Sequence, residues 1–266
     1  MHITDIITSR QNPRVKHVLR LQKSQVRFQE QLFVIEGLKE IEKATIADYT
    51  FDSIFFCPRI ISLEELQLLI PEMKGTPLFE VSADVFEKMA YRENSGGVIV
   101  LARMKQHEVS GVTQHQNPLY LVLEGVEKPG NLGAIYRTAD AAGIDSIIIC
   151  NPKTDIYNPN TVRASLGCVF TVPTVITDNS TALAMLKQNN IQILSTYLQA
   201  AIPYHTADFR LPTAIVMGTE ATGISADWIQ ASDANIIIPM KGYADSMNVS
   251  VSTAIVVFEA VRQRGF

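Results

Sequence analysis

The chain has 266 residues, 47% of them hydrophobic and 19% charged, with 27 acidic against 23 basic side chains and a formal net charge of −4. That apolar content excludes a disordered or low-complexity protein, and the lack of a basic excess excludes a histone-like or tail-driven nucleic-acid binder. Length allows one large domain or two ordinary ones, each able to bury a core.

In chain order, a polar, basic segment from Asn12 to Gln29 reads as a helix, followed by a strand from Leu32 to Ile35 and a helix opening at Gly37. Strand-like SIFF (Ser53 to Phe56), helical LEELQLLI, extended LFEV, helical ADVFEKMA and extended GVIVLA come next, which together make an α/β module. Residues Lys105 to Asn117 are polar, contain a glycine and lack apolar periodicity, as a linker does. The expected organisation is therefore a domain over 1–104, a linker over 105–117 and a second domain over 118–266. In the second domain the strands become nearly continuous apolar runs: LYLVL, SIIIC, IQILST, TAIVM and NIIIP. Such runs are buried on both faces, the pattern of a mostly parallel sheet covered by helices. Helices are expected at about Asn131 to Ala142, Thr181 to Asn189 and Ala226 to Ala231, with a long one after Met247.

The opening MHITDIITSRQNPRVK has no apolar h-region, and no run approaches the roughly 18 apolar residues of a membrane span, so a soluble, cytoplasmic protein without membrane contact is expected. Cys57, Cys150 and Cys168 each sit in or beside an apolar segment and read as buried thiols. The five histidines have no metal-ligand spacing, so no metal is expected.

Ligands of open α/β sheets bind beyond the carboxyl ends of strands, so the segments that come after the apolar runs are the places to look for a site. Three loops there are rich in glycine or small polar residues, and each leads into a helix: EGVEKPGNLGAIYRTADAAG, GTEATGIS and MKGYADSMNVSVSTA. In the first, Asn131 fits a helix N-cap, with Arg137 nearly two turns further on. The GxGxxG fingerprint is missing, which argues against a Rossmann oxidoreductase. In the second, Gly218 to Ser225 nearly matches the phosphate-cradling GxxxxGK[ST], but Ile224 stands where the lysine belongs and Glu220 adds negative charge, so a triphosphate would be repelled. In the third, Ser246, Met247, Asn248, Ser250 and Ser252 gather more small polar groups than capping one helix requires. Arg163 and Ser165, in VRASLGCVF, offer an anion contact.

Together NLGAIYRTADAAG, IVMGTEATGIS and IPMKGYADSMNVSVSTAIVVFEA resemble the three ordered motifs of the SpoU (TrmH-like) RNA ribose methyltransferases of the SPOUT superfamily. The resemblance covers essentially all of residues 118–266. The first hundred residues, with ITSRQNPRVKHVLRLQ and LFVIEGLKEIEKA, are similar to the substrate-binding domain that precedes the catalytic domain in many members. The resemblance implies an α/β catalytic domain with a deep trefoil knot and transfer of a methyl group from S-adenosylmethionine to a ribose 2′-hydroxyl of structured RNA, with ribosomal RNA favoured by the separate N-terminal module. It also implies a homodimer, for which the apolar terminal helix from Val249 to Val261 is the candidate element. By identity at the family's motif positions, Arg137 is the main catalytic residue, and Asn131, Glu220, Ser246 and Asn248 complete the site. The cofactor would lie among Thr196, Tyr197, Met217, Gly218, Glu220, Gly223, Ile238, Met240, Met247 and Val251. A transfer-RNA methyltransferase and a non-catalytic RNA-binding protein with a SpoU-like domain remain alternatives at this point.

Within this frame the N-terminal charges gain meaning. Between Thr8 and Phe28 stand Arg10, Arg14, Lys16, Arg20, Lys23 and Arg27, with no acidic residue. On one helix the last four would form a continuous stripe, suited to the phosphates of folded RNA. Arg163 and Ser165 join them as candidate RNA contacts.

Overall fold

The computed structural model describes residues 2–71, 75–91, 95–112, 115–219, 223–244 and 246–265. The first strand, β1 (Asp5–Ile7), precedes two short helices, α1 (Pro13–Arg20) and α2 (Ser24–Glu30), where one long helix is expected. Asn12 caps α1 by accepting from the Arg14 amide (2.8 Å), and Pro13 takes the first helical position, where its missing N–H costs nothing. Where the helix stops, the Arg27 guanidinium donates to the carbonyls of Leu21 (2.8 Å) and Gln22 (2.7 Å), which a continuous helix would have bonded inward. Next come β2 (Leu32–Glu36), α3 (Leu38–Ile46), β3 (Phe51–Phe56), α4 (Leu63–Leu69), β4 (Leu78–Val81), α5 (Ala83–Met89) and β5 (Val98–Arg103). Their sheet has the order β1-β4-β3-β5-β2, with β1, β4 and β3 parallel and β5 antiparallel to both of its neighbours. Ile7, Val15, Val18, Leu21, Phe79 and Ile99 form its buried core.

The second half runs β6 (Leu119–Glu124), α6 (Pro129–Ala142), β7 (Ser146–Cys150), α7 (Pro159–Ala164), α8 (Cys168–Thr171), β8 (Thr174–Thr177), α9 (Asn179–Gln188), β9 (Gln192–Thr196), β10 (Ala201–Pro203), β11 (Thr213–Met217), α10 (Ala226–Ala231), β12 (Ala234–Ile237) and α11 (Val249–Arg264). Seven strands pair in the order β10-β12-β9-β11-β6-β7-β8, every adjacent pair parallel. Every residue of β6, β7 and β11 is buried, which is why these strands read as unbroken apolar runs. Part of the polar stretch before β6 tracks the sheet edge, the Ile176 amide donating to the His107 carbonyl at 2.8 Å.

The chain divides into two compact units, one of Met1–Gln106 with Asp155–Thr171, the other of His107–Thr154 with Val172–Phe266. The segment Asp155–Thr171, placed with the second domain on sequence grounds, packs within the first unit. Asp155 accepts from buried Arg27 (2.6 Å), and Tyr157 and Phe170 pack against Phe33 with ring centroids at 4.2 and 5.8 Å. All three cysteines are buried and none forms a disulfide among the described residues, and burial pushes the Cys150 thiol up to about 12.

Candidate active site

In the seven-stranded sheet β9 lies between β12 and β11, so the loops leaving these three strands open side by side. A cavity of about 350 Å³ lies beyond their carboxyl ends, within the usual range for small-molecule sites. Thr196 and Tyr197 line it from β9, Met217, Gly218, Thr219 and Gly223 from β11, and Ile236, Ile238 and Met240 from β12. Ser246, Met247, Val249, Ser252 and Val256 close it from α11 and the residues before it. The wall is therefore mostly apolar, with hydroxyl-bearing side chains at Thr196, Tyr197, Thr219, Ser246 and Ser252.

Backbone geometry holds these walls. Thr196 Oγ1 donates to the Val216 carbonyl (2.9 Å), tying the end of β9 to β11. After β11 the chain doubles back, with paired backbone hydrogen bonds between Thr219 and Gly223 at 2.9 and 3.1 Å. Gly218 is indispensable to that fold-back, because a Cβ there would stand 2.3 Å from the Gly223 carbonyl carbon. Gly223 adopts φ +67°, a left-handed conformation open to glycine at little cost.

A smaller cavity of about 140 Å³ adjoins the first and shares Gly218, Thr219 and Val249 with it. Val126, Lys128 and Asn131 lie on its other side. Asn131 is not the N-cap expected of it: α6 begins two residues earlier, at Pro129, which leaves the Asn131 side chain available for a tertiary contact. Its Oδ1 accepts from Asn248 Nδ2 at 3.1 Å, while Asn248 caps α11 through the Ser250 amide (2.9 Å). The first and third polar loops thus meet through two amides 117 positions apart in sequence. Arg137 is exposed on α6 and makes no hydrogen bond or ion pair among the described residues. Arg137 lies six residues beyond Asn131, about 9 Å along the axis of α6, and lines neither cavity.

Of the expected cofactor-contacting residues, Thr196, Tyr197, Met217, Gly218, Gly223, Ile238, Met240 and Met247 line the large cavity. Val251 does not: Val249, Ser252 and Val256 face it at helical spacing, whereas Val251 lies on the far side of α11, 50% exposed. Glu220 lies outside the described residues. Sequence reasoning missed Glu124, the buried residue that ends β6; a lone charge closing an apolar run was the available signal.

The basic stripe is corrected more heavily. The break between α1 and α2 removes its continuity, and Arg27 is 1% exposed and paired with Asp155, so it is a structural cation and not an RNA contact. Ser165 is fully buried, its hydroxyl donating to the Val162 carbonyl and accepting from the Gly167 amide, which leaves no surface for RNA. Arg14, Lys16 and Lys23 are exposed, as are Arg10, 3.3 Å from Asp84, and Arg20, 3.6 Å from Glu30. Arg163 is exposed on α7.

Comparison with known proteins points the same way as the geometry. Residues 118–258 match the model of the SpoU rRNA Methylase family, and residues 12–100 match that of the MRM3-like substrate binding domain. The chain is 27% identical to the 23S rRNA (guanosine(2553)-2′-O)-methyltransferase RlmP of Bacillus subtilis, over 95% of this chain and 97% of that protein. A crystal structure of an RNA 2′-O ribose methyltransferase superposes with a TM-score of 0.84 at 39% identity, covering 97% of this chain and 99% of the other. An AdoMet-bound rRNA methyltransferase from Sinorhizobium meliloti superposes with a TM-score of 0.89 at 28% identity, covering 97% of each chain.

Proposed function

The chain belongs to the SpoU rRNA methylase family and is an RNA 2′-O-ribose methyltransferase that uses S-adenosylmethionine; on that premise we propose that its substrate is ribosomal RNA and that its site residues divide the work of methyl transfer among them. The observation that carries the assignment is the meeting of three loops at one cavity, with Asn131 and Asn248 hydrogen-bonded beside it. The lining suits a nucleoside bearing an amino-acid tail. Met217, Ile236, Ile238 and Val256 offer apolar surface for a flat base, and Thr196, Ser246 and Ser252 offer hydroxyls for polar groups. When bound, S-adenosylmethionine supplies an electrophilic sulfonium methyl group.

The remaining task for the protein is to align a ribose hydroxyl with that group and stabilise the charge that develops on its oxygen. Arg137 performs the second task. Its guanidinium carries only donors, so it neutralises the forming 2′-oxyanion and grips the adjoining phosphate instead of removing a proton. The hydroxyl proton passes to Ser246, to water or to a phosphate oxygen. Asn131 and Asn248 set α6 and α11 in register around the reacting atoms, and Glu220 completes the set. Arg10, Arg14, Lys16, Arg20, Lys23 and Arg163 contact the RNA backbone; Arg27 and Ser165 do not. The trefoil knot of the catalytic domain, a cytoplasmic location and a homodimer complete the reading. The dimer is supported by Val251 and Phe258, 50% and 40% exposed and two turns apart on α11.

Arg137→Ala is expected to bind S-adenosylmethionine as the wild type does, by calorimetry, and to lose methyl transfer; substantial turnover would remove Arg137 from its role. Mapping of 2′-O-methylation in total RNA from cells with and without the gene identifies the target, and a site lost only from transfer RNA would overturn the ribosomal assignment.

A further inference from the structure

We propose that Glu124 is a positioning residue that holds the first two loops of the site in place, a role that rests on the large cavity being the cofactor site. Glu124 ends β6 and is 8% exposed. Its Oε1 accepts from Asn179 Nδ2 at 2.5 Å and its Oε2 from the Ser225 amide at 2.7 Å. Asn179 Nδ2 also donates to Ser225 Oγ (3.2 Å), so one carboxylate ties together the end of β6, the start of α9 and the far end of the loop that leaves β11.

Both neighbouring loops belong to the site. Ser225 lies two residues beyond Gly223, which lines the large cavity, and β11 anchors the other end of that loop. Gly125, next to Glu124, has φ +64°, and a Cβ on it would stand 3.1 Å from Thr219 Cγ2. The backbone running toward Asn131 and Arg137 therefore packs against the cavity loop immediately after Glu124. Displacing the carboxylate moves both.

The chemistry at this position calls for acceptors. Two N–H donors arrive from different segments, and the two oxygens of a carboxylate meet both. It also sets the Asn179 amide: Nδ2 must face the carboxylate, and Asn179 Oδ1 is left buried with no hydrogen-bond partner among the described residues. A charge taken from water is costly to keep in a role that packing alone could fill, which points to a demand for fixed geometry here.

The test uses the full-length protein and two substitutions. Glu124→Met fills similar volume without acceptors, so the Ser225 amide and Asn179 Nδ2 lose their partner. Glu124→Gln keeps one oxygen for the Ser225 amide, and its NH₂ can donate to Asn179 Oδ1 once that amide turns over. Glu124→Met is expected to raise the KM for S-adenosylmethionine roughly tenfold and to speed hydrogen exchange at the Ser225 amide, leaving the KM for RNA within about twofold. Glu124→Gln is expected to recover most of both. Leu186→Ala, a buried change on α9, supplies a control matched for thermal destabilisation, with the cofactor KM expected to stay near wild type. The proposal is overturned by an unchanged cofactor KM in Glu124→Met, by an equal rise in the control, or by a Glu124→Gln protein as impaired as Glu124→Met. Absence of S-adenosylmethionine binding by the wild type would instead reject the cofactor reading; exchange at the Ser225 amide would then still decide whether Glu124 fixes the loop.

Discussion

Gly218→Ala places a methyl group against a wall that cannot yield cheaply. The new Cβ would meet the Gly223 carbonyl carbon at 2.3 Å, its oxygen at 2.4 Å and the Ile224 nitrogen at 2.6 Å, all of them backbone atoms. Ordinary carbon contacts lie near 3.5–4.0 Å, so one limb of the loop must retreat by about 1 Å. That movement strains or breaks the two backbone hydrogen bonds joining Thr219 to Gly223, each worth roughly 0.5–1.5 kcal/mol. Overpacking adds about 1–3 kcal/mol where the surroundings resist. Because Gly218, Thr219 and Gly223 all line the large cavity, much of this cost appears as lost affinity, and about 1.4–2.8 kcal/mol corresponds to a 10–100-fold weaker dissociation constant. Calorimetric titration with S-adenosylmethionine measures it, beside Gly242→Ala as control. Gly242 has nothing within 4 Å of its would-be Cβ and no left-handed backbone, so that change is expected to leave affinity at the wild-type value. A Gly218→Ala protein that binds as tightly as Gly242→Ala would refute the steric argument.

The N-terminal cations are expected to separate into two kinds. Arg27→Met strands buried Asp155 and should cost roughly 3–5 kcal/mol, a melting loss on the order of 10 °C by calorimetry, whereas a near-native melting temperature would contradict the buried pair. Arg20→Glu with Lys23→Glu should leave the melting temperature nearly unchanged but weaken RNA binding and flatten its salt dependence; unaltered affinity in a filter-binding titration across salt concentrations would remove these residues from the RNA surface. Asp178 caps α9 through the Thr181 amide, and hydrogen bonds from Ser180 and then Thr181 hold its carboxyl down to about 2 from 3.8. A carboxyl lowered in the folded state contributes stability above its unfolded pKa, and that contribution disappears as pH falls from about 4 toward about 2. Asp178→Asn keeps a capping acceptor that does not titrate, so its acid-unfolding curve should be flatter over this interval, and a curve parallel to wild type would exclude Asp178 as a source of the acid limb.

Strands buried on both faces were the most legible part of this fold, because no solvent-facing residue interrupts LYLVL, SIIIC or TAIVM. Their carboxyl ends could then be searched for a site, which singled out the three polar loops, while the cofactor-contacting residues followed from the resemblance those loops carry. Short elements were not legible. Three-residue β1 and β10 are shorter than any period that marks a strand, and α7 and α8 are one or two turns each. Within the site, identity was easier to read than direction: Val251 shares α11 with Ser252 but faces the other way, and Asn131 looks like a cap until the helix is seen to begin at Pro129.

Charge misled for a related reason. A run of basic residues without acids reads as one surface, yet two of the acids that answer it are distant in sequence: Asp155 reaches Arg27 across 128 positions, and Asp84 reaches Arg10 across 74. Arg27 also donates to the Leu21 and Gln22 carbonyls at the break between α1 and α2, so the residue that completes the stripe on paper is buried at the point where its helix ends. The converse holds for Arg137, which no acid answers among the described residues. In a slightly acidic protein, an exposed cation without an ion partner is a better guide to where an anionic substrate could bind than the sum of all charges, because cations paired within the fold, such as Arg27, are already accounted for.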